Sequence, residues 1–335
     1  MLHVMSPRRG PTRLVAVIAC LALGLDACAG TSQDGAVRRT TAEKARDLRA
    51  APQDRAGVGS DASSARELGR FRRRRAMVHV RRLASRIGVR IRATPGERRG
   101  AAYAASRLRS LGYIVKVGRF PVDGATSRNV TAKWPGAKRY PVVIGGHMDS
   151  VATSPGANDN ASGIAVILEL ARLVAGRPQA RFVKFVAFGS EEYGTDGRHH
   201  VGSQRFVDRL GARGRRRLAG MVSVDMVGKL LGRALIIGTA GIGSKVVART
   251  VIRRARRAGV DVTYRTTCDC SDNGPFERAG IPAAFAWSGL EPNYHSSGDT
   301  VASVSSRSVM KTGRALRALI RGLDAGLIRR LRRSG

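Results

Sequence analysis

Two histidines and five carboxylates stand just beyond short apolar runs in this sequence, and no cysteine stands with them. His147 and Asp149 follow Val142-Val143-Ile144 and two glycines, and ten residues after Asp149 a Gly/Asn-rich loop presents Asp159. Glu191 and Glu192 close the run RFVKFVAFGS, Asp225 follows MVSV, and His295 lies in the loop after IPAAFAW. Imidazole mixed with carboxylate suits Zn²⁺, with Mn²⁺ or Co²⁺ as substitutes, and nitrogen donors set it apart from a Ca²⁺ site. One catalytic metal needs three protein ligands and an open position. Two metals need a carboxylate between them, and together they polarise a carbonyl and activate water. The residues suffice for two.

Such a constellation must be built by strand ends. Short β-branched runs bounded by glycine read as buried strands, and in an α/β sheet the reactive groups gather at the carboxyl ends of the strands. The runs YIVKVGRF, SRNVTAKW, PVVIGG, RFVKFVAFGS, LAGMVSVDMV, RALIIG and IPAAFAW read as strands. Between them lie helical periodicities: MVHVRRLASRI, GERRGAAYAASRLRSLGY ended by Gly112, the apolar segment after Asn160, Ser203 to Leu210, Ser244 to Ala258 and Ser303 to Leu327. Helices alternating with mostly parallel strands imply an α/β fold of three α/β/α layers. In an extended segment neighbours point to opposite faces, so one of Glu191 and Glu192 can ligate while the other serves elsewhere. Taken alone, the pair is also what a solvated acidic turn looks like.

With 335 residues and 43% apolar composition the chain can bury one large core. Arg8, Arg9 and Arg13, the apolar stretch Leu14 to Leu25 and the small residues Ala27-Cys28-Ala29 have the layout of a secretory signal, too short to span a bilayer comfortably. Residues 1–28 are read as that signal, 29–76 as a flexible linker, 77–328 as the domain and 329–335 as a basic tail, with the protein exported to the cell envelope or beyond. Leu25-Asp26-Ala27-Cys28 resembles a lipoprotein cleavage box, which would lipidate Cys28 and tether the chain to a membrane. Asp26 departs from that box, and plain secretion is the alternative. Cys268 and Cys270 either pair in an oxidising compartment or stay free thiols.

The net charge is +36. It is carried by 52 arginines against eight lysines, the habit of a GC-rich genome more than of a binding surface. The clusters Arg72 to Arg75, Arg215 to Arg217 and Arg253 to Arg257 could attract phosphate-rich polymers or anionic lipid. With no aromatic interleaving or reading motif, no nucleic-acid partner is expected.

The order His-x-Asp, PGANDNASG, Glu-Glu-x-Gly, Val-Asp-Met-Val-Gly, Ser-Asp-x-x-Pro-Phe and Tyr-His-Ser-x-x-Asp-Thr resembles the co-catalytic di-zinc aminopeptidases of metallopeptidase family twenty-eight, secreted bacterial leucyl aminopeptidases among them. The resemblance covers about Val78 to Leu327. It implies the zinc exopeptidase, phosphorylase/hydrolase-like fold with a mixed, mostly parallel sheet, and two Zn²⁺. By the same resemblance, Asp159 bridges the ions, His147 and Asp225 complete one site, and Glu192 and His295 the other. Asp149 would accept the spare N–H of His147, Glu191 would be the general base, and Tyr294 the oxyanion donor. The implied reaction removes N-terminal residues from peptides by a metal-activated water. Carboxypeptidase or dipeptidase specificity, glutaminyl cyclisation on the same fold and a non-catalytic envelope-binding lipoprotein are the alternatives. Ser271-Asp272-Asn273-Gly274-Pro275-Phe276 departs from the common Ser-Asp-His before Pro-Phe, and the basic stretch Arg213 to Arg217 reads as an insertion that loops out. His199 and His200 fall outside the motifs and read as surface residues, with secondary metal binding as their other use. Oligomeric state has no sequence signature here.

Overall fold

The computed structural model describes residues 68–333, so the leader, its cysteine Cys28 and most of the linker lie outside the described residues. The described chain opens on helix α1 (Arg73–Arg81), prolonged by a π-helical turn, and helix α2 (Pro95–Ser110). Strands β1 (Ile114–Val122), β2 (Ala125–Lys133) and β3 (Val142–His147) lead into helix α3 (Gly163–Val174). Then come β4 (Val183–Phe188), α4 (Val201–Arg215), β5 (Gly220–Val224), β6 (Leu235–Thr239), α5 (Val246–Arg257), β7 (Val262–Thr266), α6 (Asn273–Arg278) and β8 (Ala283–Trp287). Helices α7 (Ser306–Arg321) and α8 (Ala325–Arg333) close the described chain.

The strands form one sheet in the order β1-β2-β4-β3-β5-β8-β6-β7. Its centre, β4-β3-β5-β8, is parallel, and β2 and β6 flank it antiparallel. Side-chain alternation explains why these runs carry no polar face. Val142 and Ile144 on β3, Phe185 on β4, Val222 on β5 and Ala284 on β8 join one core, and their neighbours Val143, Val186, Met221 and Ala283 join a second. Helices α1, α2, α3, α5 and α7 cover the first face, and α4 with α6 the other. A parallel sheet buried on both faces must read as an unbroken apolar run, and at about 1.5–3 kcal/mol per buried aliphatic side chain these strands supply much of the folding free energy.

The body extends beyond the boundaries read from sequence. Leu68, Phe71 and Ala76 are buried, and Phe71 lies where a Cβ on Gly313 of α7 would stand, 2.3 Å from Phe71 Cε2. The tail continues as α8, which buries Leu331. Residues 213–215 do not loop out; they extend α4 past a kink at Gly211. Strand β7 and helix α6 are additions, too short or too polar to announce themselves.

Among the described residues, buried Arg90 has no carboxylate within ion-pair distance. Its guanidinium donates to the carbonyls of Met148, Leu83, Gly88, Pro155 and Gly156 at 2.7–3.1 Å. It thereby pins the turn after β3 against the loop before Asp159. Arg90→Met strands these acceptors, and since an orphaned buried carbonyl costs on the order of 1–3 kcal/mol, we expect a loss of about 4 kcal/mol in chemical denaturation. A loss below about 1 kcal/mol would mean that water replaces the guanidinium.

Candidate metal centre

Four parallel strand ends deliver the polar residues to one place. His147 is the last residue of β3, Glu191 and Glu192 follow β4, Asp225 follows β5, and His295 lies in the loop after β8. Asp159 sits in a π-helical turn at Ala157–Ser162, preceded by Gly156 and joined to Asn160 by a cis peptide bond. That turn is stitched to the β5 end. Asn160 donates to Val224 O at 3.0 Å and accepts from Gly163 N–H at 2.9 Å. Asn158 accepts from Gly228 N–H at 2.7 Å. Asp299, just past His295, accepts from the amides of Asn158 and Asp159 at 2.6 and 3.0 Å. Gly146 and Gly163 permit the approach, because a Cβ on either would lie 2.4 or 2.1 Å from Val224 O.

The two oxygens of Asp159 face two different histidines. Oδ1 lies 3.1 Å from His147 Nε2, and Oδ2 lies 3.3 Å from His295 Nε2. Asp225 Oδ1 is 3.2 Å from the same nitrogen of His147, and Glu192 Oε2 is 3.1 Å from that of His295. His147, Asp159 and Glu192 offer ligand atoms all within 4.8 Å of one another. Glu192 Oε1 is buried without a hydrogen-bond partner among the described residues, an expensive state unless something else satisfies it. The donor set is oxygen and imidazole nitrogen without sulfur, which fits a zinc-type cation.

The electrostatics describe a site short of positive charge. Burial opposes protonation of His147 and His295, yet Asp225 and Glu191 outweigh it at His147, and Asp159 and Glu192 raise His295 to about 10. Burial and then Asp159 push Glu192 to about 7. Burial, in spite of the His147 charge, raises Glu191 well above its ordinary range. Divalent cations placed among these carboxylates would relieve the same deficit.

Neighbouring groups fix the ligands. Asp149 is 3.7 Å from His147 Nδ1, beyond hydrogen-bond reach; its oxygens instead accept the amides of Glu191 and Glu192, both at 3.1 Å. Asp149 thus clamps the Glu pair and stands beside the His147 imidazole. Ser271 Oγ donates to Asp225 Oδ2 at 2.8 Å. Glu97 Oε1 accepts from Ser190 N–H at 2.9 Å and Arg92 donates to Glu192 O at 3.0 Å, so helix α2 and the turn before it hold the same loop from behind.

A cavity of about 440 Å³ opens over this centre. Its lining includes the carboxylates Asp159, Glu191, Glu192 and Asp225 and the apolar side chains Met226, Phe285, Trp287 and Leu290. Cys268 and Cys270 form a disulfide in its wall. Tyr294 is 40% exposed at the rim, its ring stacked 3.7 Å from that of His295. Burial and then Asp159 and Glu192 push its phenol upward, so it remains a donor at neutral pH. A larger hollow of about 600 Å³ over α5 is lined by Arg249, Arg253, Arg256 and Arg257 and holds no carboxylate or imidazole for comparable chemistry. One surface assignment is overturned: His200 is buried, with Nε2 2.9 Å from Glu191 Oε1. A histidine two residues before a Gly-Ser that opens a helix was the signal available in the sequence.

A family model described as peptidase family M28 matches residues 129–320, more than half of the chain and the whole stretch from His147 to His295. The chain belongs to peptidase family M28. This M28 chain is 34% identical over 206 residues to aminopeptidase YwaD of Bacillus subtilis, covering 58% of this chain and 44% of that protein. It spans about half the length of the curated relatives it matches. Among solved structures it superposes on BSAP, a zinc aminopeptidase from Bacillus subtilis, with a TM-score of 0.69 at 22% identity, covering 76% of this chain and 95% of that one. It superposes on the glutaminyl cyclase of Fimbriiglobus ruber with a TM-score of 0.68 at 24% identity, covering 77% and 97%. At these identities the likeness speaks for the fold. The three-layer arrangement with a mixed sheet read from sequence is the one observed.

Proposed function

We propose that this M28 chain is an exported, zinc-dependent aminopeptidase with two metal positions. The observation that carries the reading is Asp159, whose two oxygens separate a His147/Asp225 pair from a His295/Glu192 pair. His147, Asp159 and Asp225 would hold one Zn²⁺, and Asp159, Glu192 and His295 the other. When bound, zinc polarises the scissile carbonyl and makes water more acidic. Glu191, which belongs to neither pair, takes the proton of the attacking water and returns it to the leaving amine. Tyr294 donates its phenol hydrogen to the oxygen that gains charge.

Preference for the amino end follows from the cavity's charge. In a chain of 52 arginines, the described residues that line this cavity include neither arginine nor lysine. A carboxypeptidase needs a cation for the substrate's terminal carboxylate, whereas a substrate ammonium is matched by the carboxylates present. Met226, Phe285, Trp287 and Leu290 would receive an apolar side chain. A full set of ligands around Asp159 also exceeds what single-metal cyclisation requires. The leader at residues 1–28 supports export, and Cys28 is the candidate lipid acceptor.

The reading is tested with aminoacyl p-nitroanilides and peptides blocked at either end. We expect leucyl and phenylalanyl substrates to exceed alanyl by at least about tenfold, given that each methylene in an apolar pocket is worth about 1–3 kcal/mol, with no cleavage of N-acetylated peptides. Release of C-terminal residues from N-blocked peptides, or cyclisation of N-terminal glutamine without aminopeptidase activity, would overturn it.

A further inference from the structure

His200 lies outside every motif that aligns the site, yet its ring meets the residue proposed to move the proton. It is 2% exposed, and its Nε2 is 2.9 Å from Glu191 Oε1. The backbones are clamped as well: His200 N–H donates to Glu191 O at 2.7 Å, and Val201 N–H to Ser190 O at 2.9 Å. Residues 193–199 therefore project as a loop from a closed base. His200 has a left-handed φ of 55° immediately before α4, a conformation that side chains other than glycine rarely adopt without cause. Its Nδ1 is buried against the Cys270 backbone, and its Nε2 is the ring nitrogen that meets the Glu191 carboxylate. A neutral ring carries a single N–H, and at Nε2 it would stand 2.9 Å from a carboxylate oxygen able to accept it. Glu191 Oε2, the other oxygen, points to the metal centre, 4.0 Å from His147 Nε2.

We propose that His200 is a positioning residue for Glu191, holding Oε1 so that Oε2 alone faces the attacking water. The inference rests on the reading of Glu191 as general base. The terminal torsion of a glutamate is broad and nearly two-fold, so a carboxylate without a fixed neighbour samples orientations in which neither oxygen is in line. Donation from Nε2–H removes that freedom. In the reaction, the proton leaves the water oxygen for Oε2 and passes from Oε2 to the leaving nitrogen. His200 stays neutral throughout, as burial favours, with His199 and Arg278 further disfavouring its charged form. A ring that served packing alone would have no need of the polar contact, and its loss would register in stability instead of turnover.

The test uses the zinc-loaded protein with the variants His200→Leu, His200→Phe, His200→Gln, Glu191→Gln and the double variant His200→Leu/Glu191→Gln. Turnover of leucyl p-nitroanilide, zinc per chain and Tm are followed together. Misplacing a reacting group by about 1 Å costs roughly 100-fold, so we expect His200→Leu and His200→Phe to lower kcat about 10- to 100-fold with KM, zinc content and Tm little changed. His200→Gln, which retains an N–H donor at similar reach, should recover most of the loss. In the Glu191→Gln background, removing His200 should alter the residual rate less than twofold. Equal rates for the glutamine and leucine variants would overturn the proposal, as would an undiminished effect in the double variant or a loss that follows zinc or Tm alone. Should the wild type fail to hydrolyse, or Glu191→Gln retain full activity, the reading of the whole site falls. An active wild type, an impaired Glu191→Gln and an unimpaired His200→Leu would sink this inference only.

Discussion

Replacing Glu191 by Gln is expected to lower kcat by about 10²- to 10⁴-fold, the range in which a positioned general base contributes, while zinc content and KM change little. The substitution keeps the shape of the side chain but removes its capacity to accept the water's proton. Glu191 is 7% exposed and belongs to neither histidine–carboxylate pair around Asp159, so its loss need not empty the metal positions. Burial raises its affinity for a proton, which suits a group that must take one and then release it to an amine. The measurement is steady-state kinetics beside metal analysis. A rate within a few-fold of wild type would move the base elsewhere, and a loss of zinc in step with activity would make Glu191 a ligand instead.

Asp159→Ala should have a still broader effect, because in the proposed arrangement this one side chain would serve both metal positions. Its oxygens lie 3.1 Å from His147 Nε2 and 3.3 Å from His295 Nε2, and each faces a second carboxylate across its histidine. Removing it takes one ligand from each position at once. We expect bound zinc to fall from two ions per chain to one or none and activity to fall at least about 10³-fold, beyond the 10²-fold loss typical of a disturbed supporting group. Chelation of the wild type should act in the same direction and be reversed by zinc. It should also lower Tm, since a ligand that binds only the folded state at 100 times its Kd adds about 2.7 kcal/mol. Asp159→Ala retaining two tightly bound zinc ions, or a wild type whose activity survives exhaustive chelation, would dismiss the bridging role.

These two effects differ from those of Arg90 and His200, which act through other residues. Arg90 touches no ligand side chain but ties together five carbonyls that all precede the Asp159 turn, those of Leu83, Gly88, Met148, Pro155 and Gly156. Its removal should cost stability before it costs chemistry. His200 should do the reverse, because its contact is with a carboxylate whose orientation matters only when a proton moves. Asp299 belongs with Arg90: it accepts the amides of Asn158 and Asp159 and so fixes the direction in which the Asp159 carboxylate leaves the chain.

What the sequence alone determined is local. Valine, isoleucine and alanine runs that bury both faces mark β3, β4, β5 and β8, because a strand covered on both sides cannot alternate with polar residues. Residue types at the ends of those runs, and their order along the chain, were enough to nominate His147, Asp159, Glu191, Glu192, Asp225 and His295. Only the tertiary structure decided how they are held. The partners of Asp159 and Asn158 across the site include Asp299, 141 residues from Asn158, and no local propensity encodes a hydrogen bond over such a distance. The amides of Glu191 and Glu192 claim Asp149, and a left-handed turn brings His200 inward against Glu191. The sheet order set these contacts by placing β3 between β4 and β5, so that groups more than forty residues apart meet at adjacent strand ends. Side-chain chemistry can be read from the chain, but a site needs direction, and direction comes from which strands lie side by side.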